Sequence, residues 1–214
     1  MTDRQKPKIS PRKQPKQARA TELVAIILEA AVRVLAKEGA QRFTTARVAE
    51  TAGVSVGSLY QYFPNKAAIL FRLQSDEWRQ TTELLRNILE DSKRPPLERL
   101  RILVHAFIRS ECDEAQIRVA LDDAAPFYRD APEAYEARAS GERTVQVFMQ
   151  EVLPEAPAST RALAGDLITT TLGTVGKHFS ESPRTSKEIG AYADAMADMF
   201  CAYIRSARVE FLTG

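Results

Sequence analysis

The chain has 214 residues, 44% hydrophobic and 27% charged, with a formal net charge of +2. It is long enough to bury a core in one or two domains without covalent staples. Two distant cysteines, Cys112 and Cys201, exclude a disulfide framework and read as reduced core residues of a cytosolic protein. The small net charge hides an asymmetry: residues 1–70 carry 12 Lys/Arg against 5 Asp/Glu, and residues 71–214 carry 18 against 23. A basic first third suggests a polyanion-binding module, unless the imbalance is a chance fluctuation.

Residues 1–19 carry Arg4, Lys6, Lys8, Arg12, Lys13, Lys16 and Arg19 against Asp3 alone, and Pro7, Pro11 and Pro15 keep helix out. This reads as a flexible basic arm, either a solvated tail or a contact to a nucleic-acid backbone or minor groove. It has no apolar segment of a secretory signal, and Leu23–Leu28 is too short to cross a bilayer, so a cytoplasmic location with no membrane partner is expected.

Alanine, leucine, arginine and glutamate dominate and glycine occurs only 9 times, which favours helix throughout. Leu23, Val24, Ile27, Ala30, Ala31, Val34 and Leu35 recur at steps of three and four, so a helix is expected from Ala20 to about Glu38, stopped by Gly39. Thr44 or Thr45 caps a second helix running to about Thr51, and Gly53 breaks it. Ser55 caps a third, short helix to near Phe63, Pro64 blocks its continuation, and Asn65 caps a fourth from Lys66 to about Ser92. Pro95-Pro96 opens a fifth that is apolar nearly all round from Ile102 to Ile108, as a central buried helix would be. Further helices are expected over Asp113–Asp122, then after Pro132 to about Val152, over Ala158–Phe179, and from a Thr185–Glu188 capping box to about Phe211. No period-2 stretch or internal repeat appears, so the fold class is all-α with nine to ten helices.

The informative stretch is Thr44–Phe63. Ala49 is small enough for a second helix to cross closely, and Gly53 suits the tight turn four residues on. Val48, Ala52, Val54, Leu59 and Tyr62 fall where they would pack between the helices. Ser55, Val56, Gly57, Ser58 and Gln61 face outward, and so short a set of side chains lets a helix sit deep in a major groove.

The run Val48-Ala-Glu-x-Ala-Gly-Val-Ser-x-Gly-Ser-Leu-Tyr-x-Tyr-Phe-Pro-Asn-Lys66 resembles the DNA-binding region of the tetracycline-repressor (TetR) family, over about residues 17–72. The resemblance implies that Thr44, Thr45 and Arg47, around the start of the second helix, lie near phosphate or an adjacent base. Val56, Gly57 and Ser58 would face bases. Tyr60 and Lys66 would hold phosphates, Gln61 would reach a base or a phosphate, and Tyr62 would either add to these or pack. One departure stands out: Ala67 occupies a place where the family often has glutamate.

The resemblance also implies a domain order of arm at 1–19, helix-turn-helix domain at 20–65 and ligand-binding and dimerisation domain at 66–214. It implies a homodimer on a palindromic double-stranded operator, released by an unknown small effector. That effector would act by favouring one tilt of the fourth helix. Small faces on two late helices fit the dimer: Thr169, Thr170, Gly173, Thr174 and Gly176 on one, Ala191, Ala195, Met199 and Ala202 on the other. Ordinary packing within the chain is the alternative. Pocket candidates are Trp78 with Phe71 and Leu85, then His105, Arg109, Phe127, Tyr128, Phe148 and His178, each either a ligand contact or plain core or surface. Arg109 would be exposed, paired or facing an anionic ligand. The aromatic and methionine content points to a mostly apolar effector.

An enzyme is the first rival, but no nucleophile–base spacing, metal-ligand pair or phosphate-binding glycine loop appears, so no catalytic residue, metal or cofactor is expected. The second is a regulator without a ligand, controlled by a protein partner, or an activator rather than a repressor.

Overall fold

The computed structural model describes residues 18–128 and 132–212, with the side chains of residues 19–128 and 141–208. The basic arm over residues 1–17 lies outside them. Nine α-helices and one 3-10 turn make up the described residues, with no strand among them. The chain forms two compact units: residues through Arg79 with Gln116–Ala137, and Gln80–Ala115 with Arg138–Gly214.

In the first unit, α1 (Ala18–Arg42) buries Ile27, Ala30, Ala31 and Leu35 on one face. Gly39 interrupts it at φ 73° and ψ 170°, a backbone open only to glycine, and a last turn resumes to Arg42. The helix thus breaks where the sequence places a stop. α2 (Thr45–Ala52) packs on α1, and α3 (Val56–Tyr60) packs on α2. α3 ends at Tyr60, short of Phe63. The chain tightens there, with the amides of Tyr62 and Phe63 both donating to the Leu59 carbonyl at 3.0 Å. α4 (Lys66–Leu89) begins at an Asn65 cap, whose Oδ1 accepts the Ala68 amide at 2.9 Å. α6 (Ala115–Ala124) and the 3-10 turn Ala125–Phe127 complete this unit, closing a core that includes Phe43, Leu59, Phe63, Ile69, Leu70 and Tyr128.

In the second unit, α5 (Pro96–Asp113) packs on both α8 (Ala158–Ser180) and α9 (Ser186–Leu212). Leu100, Leu103, Val104 and Ile108 of α5 are buried, which gives it the central place its composition predicts. α7 (Pro132–Val152) adds Val145, Phe148, Met149 and Val152 to the same core. α9 opens with the expected reciprocal cap: Glu188 Oε2 accepts the Thr185 amide at 2.7 Å, and Thr185 Oγ1 accepts the Glu188 amide at 3.3 Å.

Arg99 is 2% exposed in this core. Its guanidinium donates to the Leu89 carbonyl and to the Glu151 carboxylate, and lies 5.5 Å from the Phe148 ring centroid. One buried cation therefore satisfies a carbonyl at the end of α4 and tethers α7 to α5.

Candidate nucleic-acid interface

The reader is built from caps upward. Thr44 is the residue that caps α2: it is extended at φ −136° and ψ 150°, and its Oγ1 accepts the Arg47 amide at 3.3 Å. Gly53 ends α2 at φ 66° and ψ 29°, with its amide directed at the carbonyls of Ala49 and Glu50. The Val54 amide donates to the Ala49 carbonyl at 3.0 Å, which closes the turn. Ser55 then caps α3 by accepting the Ser58 amide at 3.0 Å, and the two serine hydroxyls lie 2.8 Å apart. A five-residue helix has little stability of its own, so the caps and the burial of Leu59 at 0% exposure hold it.

Burial sorts the motif into two faces. Val48, Ala49, Leu59 and Tyr62 are buried, and Ala52 and Val54 pack partly against the same core. Val56 and Tyr60 are 39% and 38% exposed, and Ser55, Gly57 and Gln61 are also exposed, with Ser58 half-buried. Tyr62 is 7% exposed.

Around this face stand hydroxyls and cations. Thr45 Oγ1 lies 3.2 Å from the Tyr60 hydroxyl, which joins the start of α2 to the end of α3. Arg47 pairs with Glu38 while its side chain stays 42% exposed. Lys66, the first residue of α4, places Nζ 4.1 Å from the Phe127 ring centroid. Ala67 is 6% exposed and faces the core, so the glutamate common in the family has no solvated place here, and Asn65 supplies the cap instead.

The pocket candidates separate. In the first unit, Tyr128 is a core residue whose hydroxyl donates to Gln74 Oε1 and the Leu121 carbonyl, each at 3.0 Å. Its ring tilts against Phe71 at 5.9 Å, and Trp78 packs half-buried on that core. In the second unit, Phe148 is buried, His105 Nε2 meets Asp194 Oδ1 at 3.0 Å, and Arg109 is exposed. The His178 side chain is 82% exposed beside Glu181, a surface position. Two open cavities of the second unit are lined by other residues. One of about 310 Å³ lies among Leu153, Pro154, Ala156, Ala207 and Arg208. One of about 390 Å³ lies among Leu85, Val145, Met149, Arg161, Gly165 and Asp166. Of the sequence candidates, only Leu85 lines either.

The small faces of α8 and α9 divide too. Thr170 and Thr174 are exposed, Gly173 has nothing within 4 Å of a Cβ position, and Ala191, Ala195, Met199 and Ala202 are exposed. Gly176 is different: a Cβ there would meet Ile108 Cδ1 at 3.2 Å and Phe107 Cε1 at 3.3 Å, so its smallness serves α5–α8 packing within the chain. Thr169 spends its hydroxyl on the Gly165 carbonyl at 2.9 Å. Leu163 and Leu167, 62% and 46% exposed, extend the open face of α8 and were not singled out from the sequence, although they stand three to seven residues before Thr170.

A capped, tightly turned helix pair with a short exposed second helix defines a helix-turn-helix DNA-binding protein. Family models agree along the chain: one described as "Bacterial regulatory proteins, tetR family" matches residues 27–73, and one described as "Tetracyclin repressor-like, C-terminal domain" matches residues 95–207. The chain belongs to the TetR family, and is a DNA-binding transcriptional regulator rather than an enzyme.

Among its relatives, the nucleoid occlusion factor SlmA of Vibrio campbellii is 37% identical over 83 residues, covering 38% of this chain and 42% of that protein. The transcriptional repressor KstR of Rhodococcus jostii is 28% identical over 131 residues, covering 61% and 60%. The chain thus matches less than two thirds of the length of either. The structure of FadR from Bacillus subtilis in complex with stearoyl-CoA superposes with a TM-score of 0.61 at 18% identity, covering 83% of this chain and 97% of that one. Among the described residues, no helix is long and apolar enough to cross a membrane.

Proposed function

We propose that this regulator is a repressor that binds a palindromic operator as a homodimer and leaves it when a small, largely apolar effector binds. The carrying observation is the two-faced motif: α3 buries Leu59 completely while Val56, Gly57, Tyr60 and Gln61 stay open. Val56, Gly57 and Ser58 face bases. Tyr60 and Lys66 meet the backbone, and Thr44, Thr45, Arg47 and Gln61 meet the backbone or an adjacent base. Phosphate contacts set affinity and salt dependence, and the short α3 face sets sequence preference with a share from DNA shape.

The dimer reading is supported by one open face on each of α8 and α9, where Leu163, Leu167 and Met199 stand 62%, 46% and 52% exposed. Large apolar side chains in helical register on a surface mark an interaction face. The effector reading is supported by the cavity of about 390 Å³, within the lower range of ligand sites, and by the acyl-CoA held by the FadR relative. The repressor reading is supported by the name of the KstR relative. An effector that changes the separation of the two recognition helices by a few ångström removes them from half-sites about 34 Å apart.

The test is a gel shift on the promoter next to the chain's own gene, with and without stearoyl-CoA and cell extract, beside sedimentation of the free protein. A retarded dimer complex that an additive dissolves supports the reading. A monomer, or a complex indifferent to every additive, overturns the dimer or the effector part respectively. Leu167→Glu with Met199→Glu is expected to give a folded monomer that no longer retards the duplex.

A further inference from the structure

We infer that Phe127 is a positioning residue for DNA binding: its ring holds the Lys66 ammonium in place for the phosphate. This rests on the proposed phosphate contact of Lys66. The inference starts from an electrostatic conflict. Lys66 is the first residue of α4, and the first turn of α4 contains no acid. A helix N-terminus carries partial positive charge, so a lysine there is disfavoured and would swing away unless something compensates. Ala67 gives no help, since it is apolar and 6% exposed. The compensation is the Phe127 ring, whose negative face lies 4.1 Å from Nζ.

The ring is itself fixed. Phe127 closes the 3-10 turn Ala125–Phe127, which holds Pro126 at its middle position. The Tyr128 amide donates to the Ala125 carbonyl at 3.0 Å, and the Tyr128 hydroxyl is anchored on Gln74 and Leu121. Arg118 of α6 pairs with Glu77 of α4 at 2.6 Å with both side chains largely buried. The end of the turn is therefore tied to α4 at Gln74, and the α6 that leads into it at Glu77, two to three turns beyond Lys66. A ring binds an ammonium through one side and leaves its other N–H directions to solvent or phosphate. A flexible lysine loses rotamer freedom on meeting phosphate, and one already anchored on a ring loses less.

The experiment uses the full chain and a labelled duplex of about 40 base pairs of mixed sequence, because phosphate binding is independent of sequence. Binding is read by anisotropy over a potassium chloride series for the wild type, Lys66→Ala, Phe127→Leu, the double variant, and Phe127→Tyr. Lys66→Ala should weaken binding and lower the slope of log affinity against log salt by about 0.9 for each phosphate that is no longer neutralised. Phe127→Leu should weaken binding by about two- to fivefold per engaged lysine. It should have no effect in the Lys66→Ala background. Phe127→Tyr keeps the ring face and should bind as the wild type does.

If Lys66→Ala leaves affinity and slope unchanged, the phosphate reading fails and the inference with it. If Lys66→Ala weakens binding but Phe127→Leu costs the same in both backgrounds, the reading stands and the inference falls. Tighter binding by Phe127→Leu means that the ring competes with DNA, which also overturns it. Should Phe127→Leu lose helical signal, Phe127→Tyr carries the test. A tyrosine variant that binds as weakly as Lys66→Ala refutes the ring's role.

Discussion

Gly53 and Gly190 offer a paired test of what the helix-turn-helix backbone requires. Apart from the adjoining residues and, at Gly190, the local helix backbone, no atom lies within 4 Å of a Cβ built on either, so an alanine at either position meets open space. They differ in backbone: Gly53 sits at φ 66° and ψ 29°, whereas Gly190 lies inside α9, and Gly39 and Gly53 are the described glycines with positive φ. At Gly53, a Cβ in the left-handed region costs about 1–2 kcal/mol. The smaller freedom of alanine in the unfolded chain offsets about 0.4–1 kcal/mol of that. The net is a loss of about 1 kcal/mol, or roughly 2–4 °C in melting temperature for a chain of this size. At Gly190 the helical backbone suits alanine, and the same substitution should stabilise by up to about 1 kcal/mol. Urea titration followed by circular dichroism reads both, and Gly53→Asn should lose less than Gly53→Ala because asparagine tolerates the left-handed region. Shifts of the same sign at the two glycines would refute the reasoning, since backbone conformation is the difference it uses. A loss at Gly53 beyond about 3 kcal/mol would refute it as well, by revealing a clash where the structure has space.

Three further outcomes follow from the second unit. Glu151→Ala leaves the buried Arg99 guanidinium without its carboxylate and should cost roughly 3 kcal/mol, the low end for a broken buried pair because Glu151 is half exposed. Arg99→Met keeps the buried stem and returns Glu151 to water, so it should cost less, about 1–3 kcal/mol for the stranded Leu89 carbonyl; a larger loss at Arg99 than at Glu151, by denaturant titration, would contradict this order. The Glu188 carboxyl is held below the ordinary glutamate value, first by the Thr185 amide and then by the Thr185 hydroxyl. Its contribution to α9 is therefore complete above the ordinary glutamate range and lost as pH falls through the depressed value. Glu188→Gln should flatten that part of the acid dependence of melting. Burial raises the thiols of Cys112 and Cys201 above the ordinary cysteine value, with Asp113 adding to the first. Alkylation by iodoacetamide at neutral pH should be slower in the native chain than in urea at both, and a fast native reaction at Cys201 would show that its 1% exposure is breached in solution.

The sequence by itself determined the elements and the DNA reader. Caps, turns and helical periodicity act between residues one to four positions apart, so Gly53, Ser55, Asn65 and the Thr185–Glu188 box could be read directly, and the cap of α2 narrowed to Thr44 or Thr45. The same short range let the α3 face be sorted from Leu59 beside it. Tertiary structure decided what depends on partners far along the chain. Arg99 and Glu151 are 52 residues apart, Gln74 and Tyr128 54, and His105 and Asp194 89, and nothing local in either segment names the other. No local signal in the sequence marks Arg99 as buried, yet it is 2% exposed. Tyr128 and Phe148 read equally well as ligand contacts or core, because an aromatic side chain fits either, and only the tertiary structure shows that both are 2% exposed. The small residues of α8 carried one signal with two causes: Gly176 is small because α5 lies against it, and Gly173 lies open. Periodicity gives the face a residue occupies on its own helix, and packing gives what that face meets.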